Sequence, residues 1–263
     1  MIAKKTHQDI EIMREGGKKL GQVLQDLLDF AQPGIALNEI DALALKRIKD
    51  AGATPSFTTV KGYKWPTCLC LNDIVVHGIP TNQVLKDGDV LTIDVGLILG
   101  GFHTDTAWTK IIGTDSSQES REKELFLKTG QKALWGAIDR AKIGNRIGHI
   151  SKWVQDTIEG SGYSIVKSLV GHGVGRELHE DPQVPNYVRG DIANTYEFSG
   201  GETIAIEPIY TMGLGAIVYE NNDGWTIGTR DHSLAAVFEH SVAITHDGPL
   251  VLTLRPGETI GFS

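Results

Sequence analysis

Asp87-Gly-Asp-Val-Leu-Thr-Ile-Asp94-Val-Gly96-Leu-Ile-Leu-Gly100-Gly101-Phe-His-Thr-Asp105-Thr-Ala-Trp-Thr109 puts two carboxylates where a folded chain ordinarily buries apolar side chains. Val90 to Leu99 alternates as a strand does, Phe102 to Ile112 alternates again, and Gly100-Gly101 between them reads as a two-residue hairpin turn. Such a turn sets the register. With Leu99 opposite Phe102, Gly96 faces Asp105 and Asp94 faces Ala107, so the aspartates project from one face as diagonal neighbours, roughly 7–8 Å apart at their backbones. One more residue in the turn would send them to opposite faces. Gly96 has no side chain and leaves a gap beside the acids. Two carboxylates that close repel unless one takes a proton or a cation lies between them. The hairpin therefore reads as part of a cation site, against the plainer reading of acids on a solvated sheet face.

The remaining composition narrows the function. The chain has 263 residues, 40% hydrophobic and 22% charged, enough to bury a substantial core. Lys plus Arg number 25 against 33 Asp plus Glu, a net charge of -8, with no basic block suited to a phosphate backbone, so nucleic acid is not an expected direct ligand. Cys68 and Cys70 are the only cysteines, too few for a four-thiolate zinc site or a disulfide scaffold, and they fit a reducing compartment. Met1-Ile-Ala-Lys-Lys-Thr-His-Gln-Asp9 lacks the apolar segment of a signal peptide, and no apolar run is long enough to span a bilayer. A cytoplasmic protein without a membrane anchor is expected.

Outward from the hairpin, the chain repeats itself. Ala31-Gln-Pro-Gly34 with Ile40, Ile48 and Gly52 recurs 110 residues later as Ala141-Lys-Ile-Gly144 with Ile150, Ile158 and Gly162. Gly88-Asp-Val-Leu-Thr-Ile-Asp94 is echoed 113 residues later by Gly201-Glu-Thr-Ile-Ala-Ile-Glu207, and His77-Gly-Ile-Pro80 by His179-Glu-Asp-Pro182. Helical patterning covers about 8 to 31, a stretch from a cap at Asn38 and Asp41 towards Gly52, and about 118 to 141. The loop from Ala53 to Thr67 carries Phe57, Tyr63 and Trp65, suited to lining a pocket or to packing on the sheet. These features predict an α+β fold: two halves, about 1–115 and 116–263, forming one domain over 1–263 around a sheet with a pseudo-twofold axis, helices outside and acids inside. The site would lie between the halves.

The second half supplies further ligands. Glu207, in Thr203-Ile-Ala-Ile-Glu207-Pro-Ile-Tyr210, alternates away from Ile204 and Ile206, and Glu239 interrupts an apolar strand running from Ala236 to Thr245. His172 lies in Val170-Gly-His172-Gly-Val-Gly175, where glycines let the backbone bring an imidazole close to a partner. Four carboxylates and one imidazole form a hard donor set suited to manganese, iron, cobalt or zinc. Four negative charges call for two divalent ions, about 3.5–4 Å apart, which generate hydroxide near neutral pH.

Asp94, Asp105, His172, Glu207 and Glu239 in this order, with the His77 and His179 motifs among them, resemble the type I methionine aminopeptidases nearly end to end. The resemblance implies the pita-bread fold and removal of the initiator methionine from new polypeptides. It implies that Asp94 chelates one ion, His172 and Glu207 the other, and that Asp105 and Glu239 bridge them. Glu207 would carry the proton to the leaving amine, His179 would stabilise the oxyanion, and His77 would contact the amide of the leaving residue. The methionine pocket would comprise Phe57, Trp65, Cys68, Leu178 and Trp225. The family usually has phenylalanine in place of Leu178 and Tyr or Phe in place of Trp65, and the loop is longer here, which implies a reshaped pocket. The expected partner is the N-terminal methionine of nascent chains, met by a monomer with at most transient ribosome association. Two other readings share the residues: a proline-directed aminopeptidase or prolidase, and a pita-bread protein that binds peptides without cleaving them.

Overall fold

A computed structural model describes residues 2–114 and 118–261. The boundary expected between the halves, near 115, falls outside the described residues. Helices α1 (His7–Phe30), α2 (Leu37–Asp50), α3 (Gln118–Arg140) and α4 (Ile147–Gly160) cover one face of a nine-stranded sheet. Its main path runs Thr54–Pro55, Val90–Leu99, Phe102–Ile111, Glu239–Thr245, Thr203–Ile206, Val170–Gly173 and Glu180–Pro185. Thr67–Leu71 adds to the Val90–Leu99 strand and Gly248–Val251 to the Glu239–Thr245 strand.

The repeat is visible in the backbone. Gly34 N–H donates to Leu85 O and Leu37 N–H to Gln83 O; the same geometry returns as Gly144 to Phe198 and Ile147 to Tyr196. Gly34 and Gly144 both have a left-handed φ, +93° and +84°, which is why glycine ends this turn in each half. Leu91, Ile93, Val95 and Leu97 bury against α1 and α2, while Ile204 and Ile206 bury against α3 and α4. Lys110 donates to the carbonyls of Leu28 and Ala31, covering the C-terminal end of α1, where a cation suits the helix dipole.

Three local expectations change. The second helix begins at Leu37, with Glu39 accepting from the Ala36 N–H. Asp41 is not a cap: it accepts from Thr67 Oγ1, and burial pushes its carboxyl up to about 6. The strand expected through Ala236 to Thr245 breaks at Phe238. Ala235–Val237 pairs with Ile209–Thr211 in a separate three-stranded sheet, while Glu239–Thr245 stays in the large one. Pro208, which has no N–H to donate, marks the matching break after Ile206, at Glu207. Both glutamates thus stand where strands change sheets. Finally, the gap at Gly96 is filled: a Cβ there would lie 2.8 Å from Ser56 Cβ and 2.9 Å from Phe57 Cε1.

Candidate metal centre

Sheet register brings four of the five expected ligands to one face, and Glu207 follows directly after a strand of the same sheet. Gly96 pairs with Asp105 and Asp94 with Ala107; Ala107 pairs in turn with Glu239. Ser241 pairs with Ala205 and Ala205 with His172, and Glu207 follows Ala205 by two residues. Residues opposite one another in a sheet share a face, so the pairings carry the inner face from one aspartate strand to the histidine strand.

Asp105, His172 and Glu239 each offer a ligand atom within 4.8 Å of the others. Asp94 lines the same cavity beside Asp105 and the Cys68 thiol. Glu207 Oε1 lies 3.6 Å from His172 Nε2. Among the described residues, Asp94 Oδ1 and Glu239 Oε1 are buried without a hydrogen-bond partner, which is costly unless a cation takes them. His172 Nδ1 lies 2.8 Å from Gly173 O, which can only accept, so the proton sits on Nδ1 and the Nε2 lone pair faces the acids. These donors fit divalent ions.

Electrostatics point the same way. Burial first, then mutual repulsion, holds Asp105, Glu207 and Glu239 well above the usual carboxylate range. Burial pushes Asp94 up to about 7. Burial and the neighbouring His179 lower His172 to about 4, leaving it neutral and able to ligate. His77 is lowered by burial and by His179, and His179 by burial. The His172 and His179 rings stand 4.4 Å apart, edge to face. Burial raises the Cys68 thiol well up, so it is a neutral hydrogen-bond donor in the wall.

A cavity of about 140 Å³ adjoins the acids. Phe57, Cys68, Leu178, Trp225, His77 and His179 line it, together with all five expected ligands. Trp65 does not. It packs edge-on against Tyr63, at 5.3 Å between centroids, and Tyr63 lines the cavity instead, with Val60 and Val76. Tyr63 is fixed there by donating its hydroxyl to Thr67 O at 2.8 Å. Two aromatics only two residues apart in a loop carry no periodicity that would tell wall from support. The cavity opens to a cleft of about 870 Å³ that shares His77, His172, His179 and Glu207.

This arrangement can bind cations, bury one apolar side chain beside them, and leave the rest of a chain in the open cleft. The model of metallopeptidase family M24 matches residues 11–246. A methionine aminopeptidase of Clostridium perfringens is 40% identical over 254 residues, which cover 97% of this chain and 99% of the relative. The crystal structure of a methionine aminopeptidase from Thermotoga maritima superposes with a TM-score of 0.91 at 37% identity, covering 97% of this chain and all of that one. A prolidase from Pyrococcus furiosus shares the fold alone: TM-score 0.73 at 22% identity, over 95% of this chain and 65% of that one.

Proposed function

From the premise that this chain belongs to metallopeptidase family M24, with the pita-bread fold and the activity of a methionyl aminopeptidase, we propose that its inner-face acids hold two divalent ions. Asp94, Asp105, His172, Glu207 and Glu239 would be the residues that hold them. The observation that carries this is the pair of buried, partnerless carboxylate oxygens on Asp94 and Glu239 beside a neutral His172. Bound ions would supply an electrophile for the scissile carbonyl and a nucleophile from water.

The chain's own residues do the rest. Phe57, Tyr63, Cys68, Leu178 and Trp225 surround the methionine side chain and exclude water from it. Glu207, 3.6 Å from His172 and shared by the cavity and the open cleft, takes a proton from the attacking water and passes it to the departing amine. His179 donates to the carbonyl oxygen as charge develops there, and His77 holds the leaving residue's amide. The substrate's free amino group would be held at the same centre, which restricts cleavage to the first bond. The two halves act as one catalytic domain, since ligands from both meet at one sheet face. The enzyme works as a monomer in the cytoplasm on nascent chains, meeting the ribosome transiently. A light-scattering mass and a polysome gradient check the last two statements.

The test is cleavage of Met-Ala-Ser, Leu-Ala-Ser and Ala-Pro-Ala by metal-stripped protein after adding cobalt, manganese, iron or zinc. Metal-dependent release of methionine alone supports the reading. Cleavage of Ala-Pro-Ala moves the chain to the proline-directed branch, and binding of metal without cleavage makes it a binding protein.

A further inference from the structure

We propose that Lys5 and Glu180 form a positioning pair that holds the His179 imidazole and the Leu178 wall in register with the metal centre. This rests on the role proposed for His179. The Lys5 ammonium donates to Glu180 Oε2, and the pair is buried, with side-chain exposures of 4% and 12%. The other carboxylate oxygen, Oε1, accepts from the backbone N–H of Arg176 at 2.6 Å and of Glu177 at 3.2 Å. Glu180 thereby closes the tight turn whose last two residues are Leu178 and His179.

The turn is fixed from its other end as well. Gly175 O accepts from His103 N–H at 2.6 Å, in the strand that carries Asp105, and Gly175 N–H donates to Glu177 O. A Cβ on Gly175 would lie 2.2 Å from Lys5 Cε, so the lysine stem occupies the space the glycine leaves. Lys5 is itself anchored: its backbone N–H donates to Gly201 O at 2.7 Å and its ammonium also donates to Ala3 O at 3.3 Å. Ala3 lines the open cleft. The segment ahead of α1 is therefore a wall of the substrate cleft, wired through one ion pair to the residue that faces the carbonyl. Without the ammonium, the carboxylate is left buried and unpaired and turns towards water, releasing the two N–H groups it holds.

Lys5→Met, Lys5→Arg and Glu180→Gln are compared with the wild-type chain. In Lys5→Met, kcat on Met-Ala-Ser falls by about 10- to 100-fold, the cost of a small displacement of a catalytic group. KM and metal affinity by titration calorimetry stay near wild type, and Lys5→Arg recovers most of the rate. In the metal-free protein, amide exchange at Arg176 and Glu177 speeds up and the His179 ring resonance shifts. Unchanged amide exchange, kcat within about twofold of wild type, or metal affinity falling in step with kcat overturns the inference. Lys5→Gln serves if Lys5→Met does not fold. The exchange measurement needs no turnover, so it judges the pair even if the wild-type chain released no methionine, a failure that would count against the function alone.

Discussion

At the scale of single residues, the centre is a set of groups made expensive in isolation. Asp94 is raised from 3.8 to about 7 by burial, so its protonated form is the one the fold favours. A raised pKa contributes stability that is complete below the unfolded value and is lost as pH climbs through the folded one. Metal-stripped protein should therefore lose thermal stability between about pH 4 and pH 8 through this group, and divalent ions should restore it; scanning calorimetry with and without metal reads both. Binding should also release protons near pH 7, seen as a buffer-dependent enthalpy. Asp105→Ala removes an acid with Asp94, His172 and Glu239 around it. Turnover should fall on the order of 10³-fold or more, and near-normal turnover by a folded variant would end the two-ion proposal.

At the scale of elements, glycines decide how closely pieces approach. Gly17 and Gly21 lie on the buried side of α1, where a Cβ would come within 2.4 Å of Leu252 O and 2.2 Å of Leu254 O. The chain after the Gly248–Val251 strand runs directly over the helix backbone there. Gly21→Ala gains about 1 kcal/mol of helix propensity. It must displace backbone to do so, and overpacking of this kind costs about 1–3 kcal/mol. Net destabilisation in urea melts is the expected result; a more stable variant would mean the final segment shifts freely. The Gly100-Gly101 turn works differently: both have left-handed φ, +58° and +82°, and this two-residue geometry places Asp105 on the face of Asp94.

At the scale of the whole molecule, Trp108 touches both large cores, one under each pair of helices. The Arg255 guanidinium lies 3.7 Å over its ring, pairs with Glu258, and packs near His240 behind Glu239. Burial raises the Glu258 carboxyl, but the Arg255 hydrogen bonds and the His240 ring 3.6 Å away outweigh it and hold the group down to about 2. A lowered pKa contributes stability above the unfolded value of 4.5 that is lost as pH falls through about 2. Glu258→Gln should cost about 3 kcal/mol at neutral pH, and the difference from wild type should shrink below about pH 4. A constant difference across that range would deny the carboxylate its part in joining the halves.

The sequence by itself determined the hairpin register, the repeated helix-and-strand plan and the five metal-ligand candidates. Each of these depends on spacing along the chain: two residues in a turn, alternation in a strand, an offset of 110 between matching turns. Tertiary structure decided what depends on meeting across the chain. It put Tyr63 in the cavity and Trp65 behind it, because the Tyr63 hydroxyl reaches a backbone carbonyl and no periodicity orders a loop. It filled the gap at Gly96 with Ser56 and Phe57, and turned Asp41 from a cap into a buried acceptor for Thr67. Lys5 and Glu180, 175 residues apart, carry no local signal, because a buried ion pair is specified only by the packing that removes both charges from water.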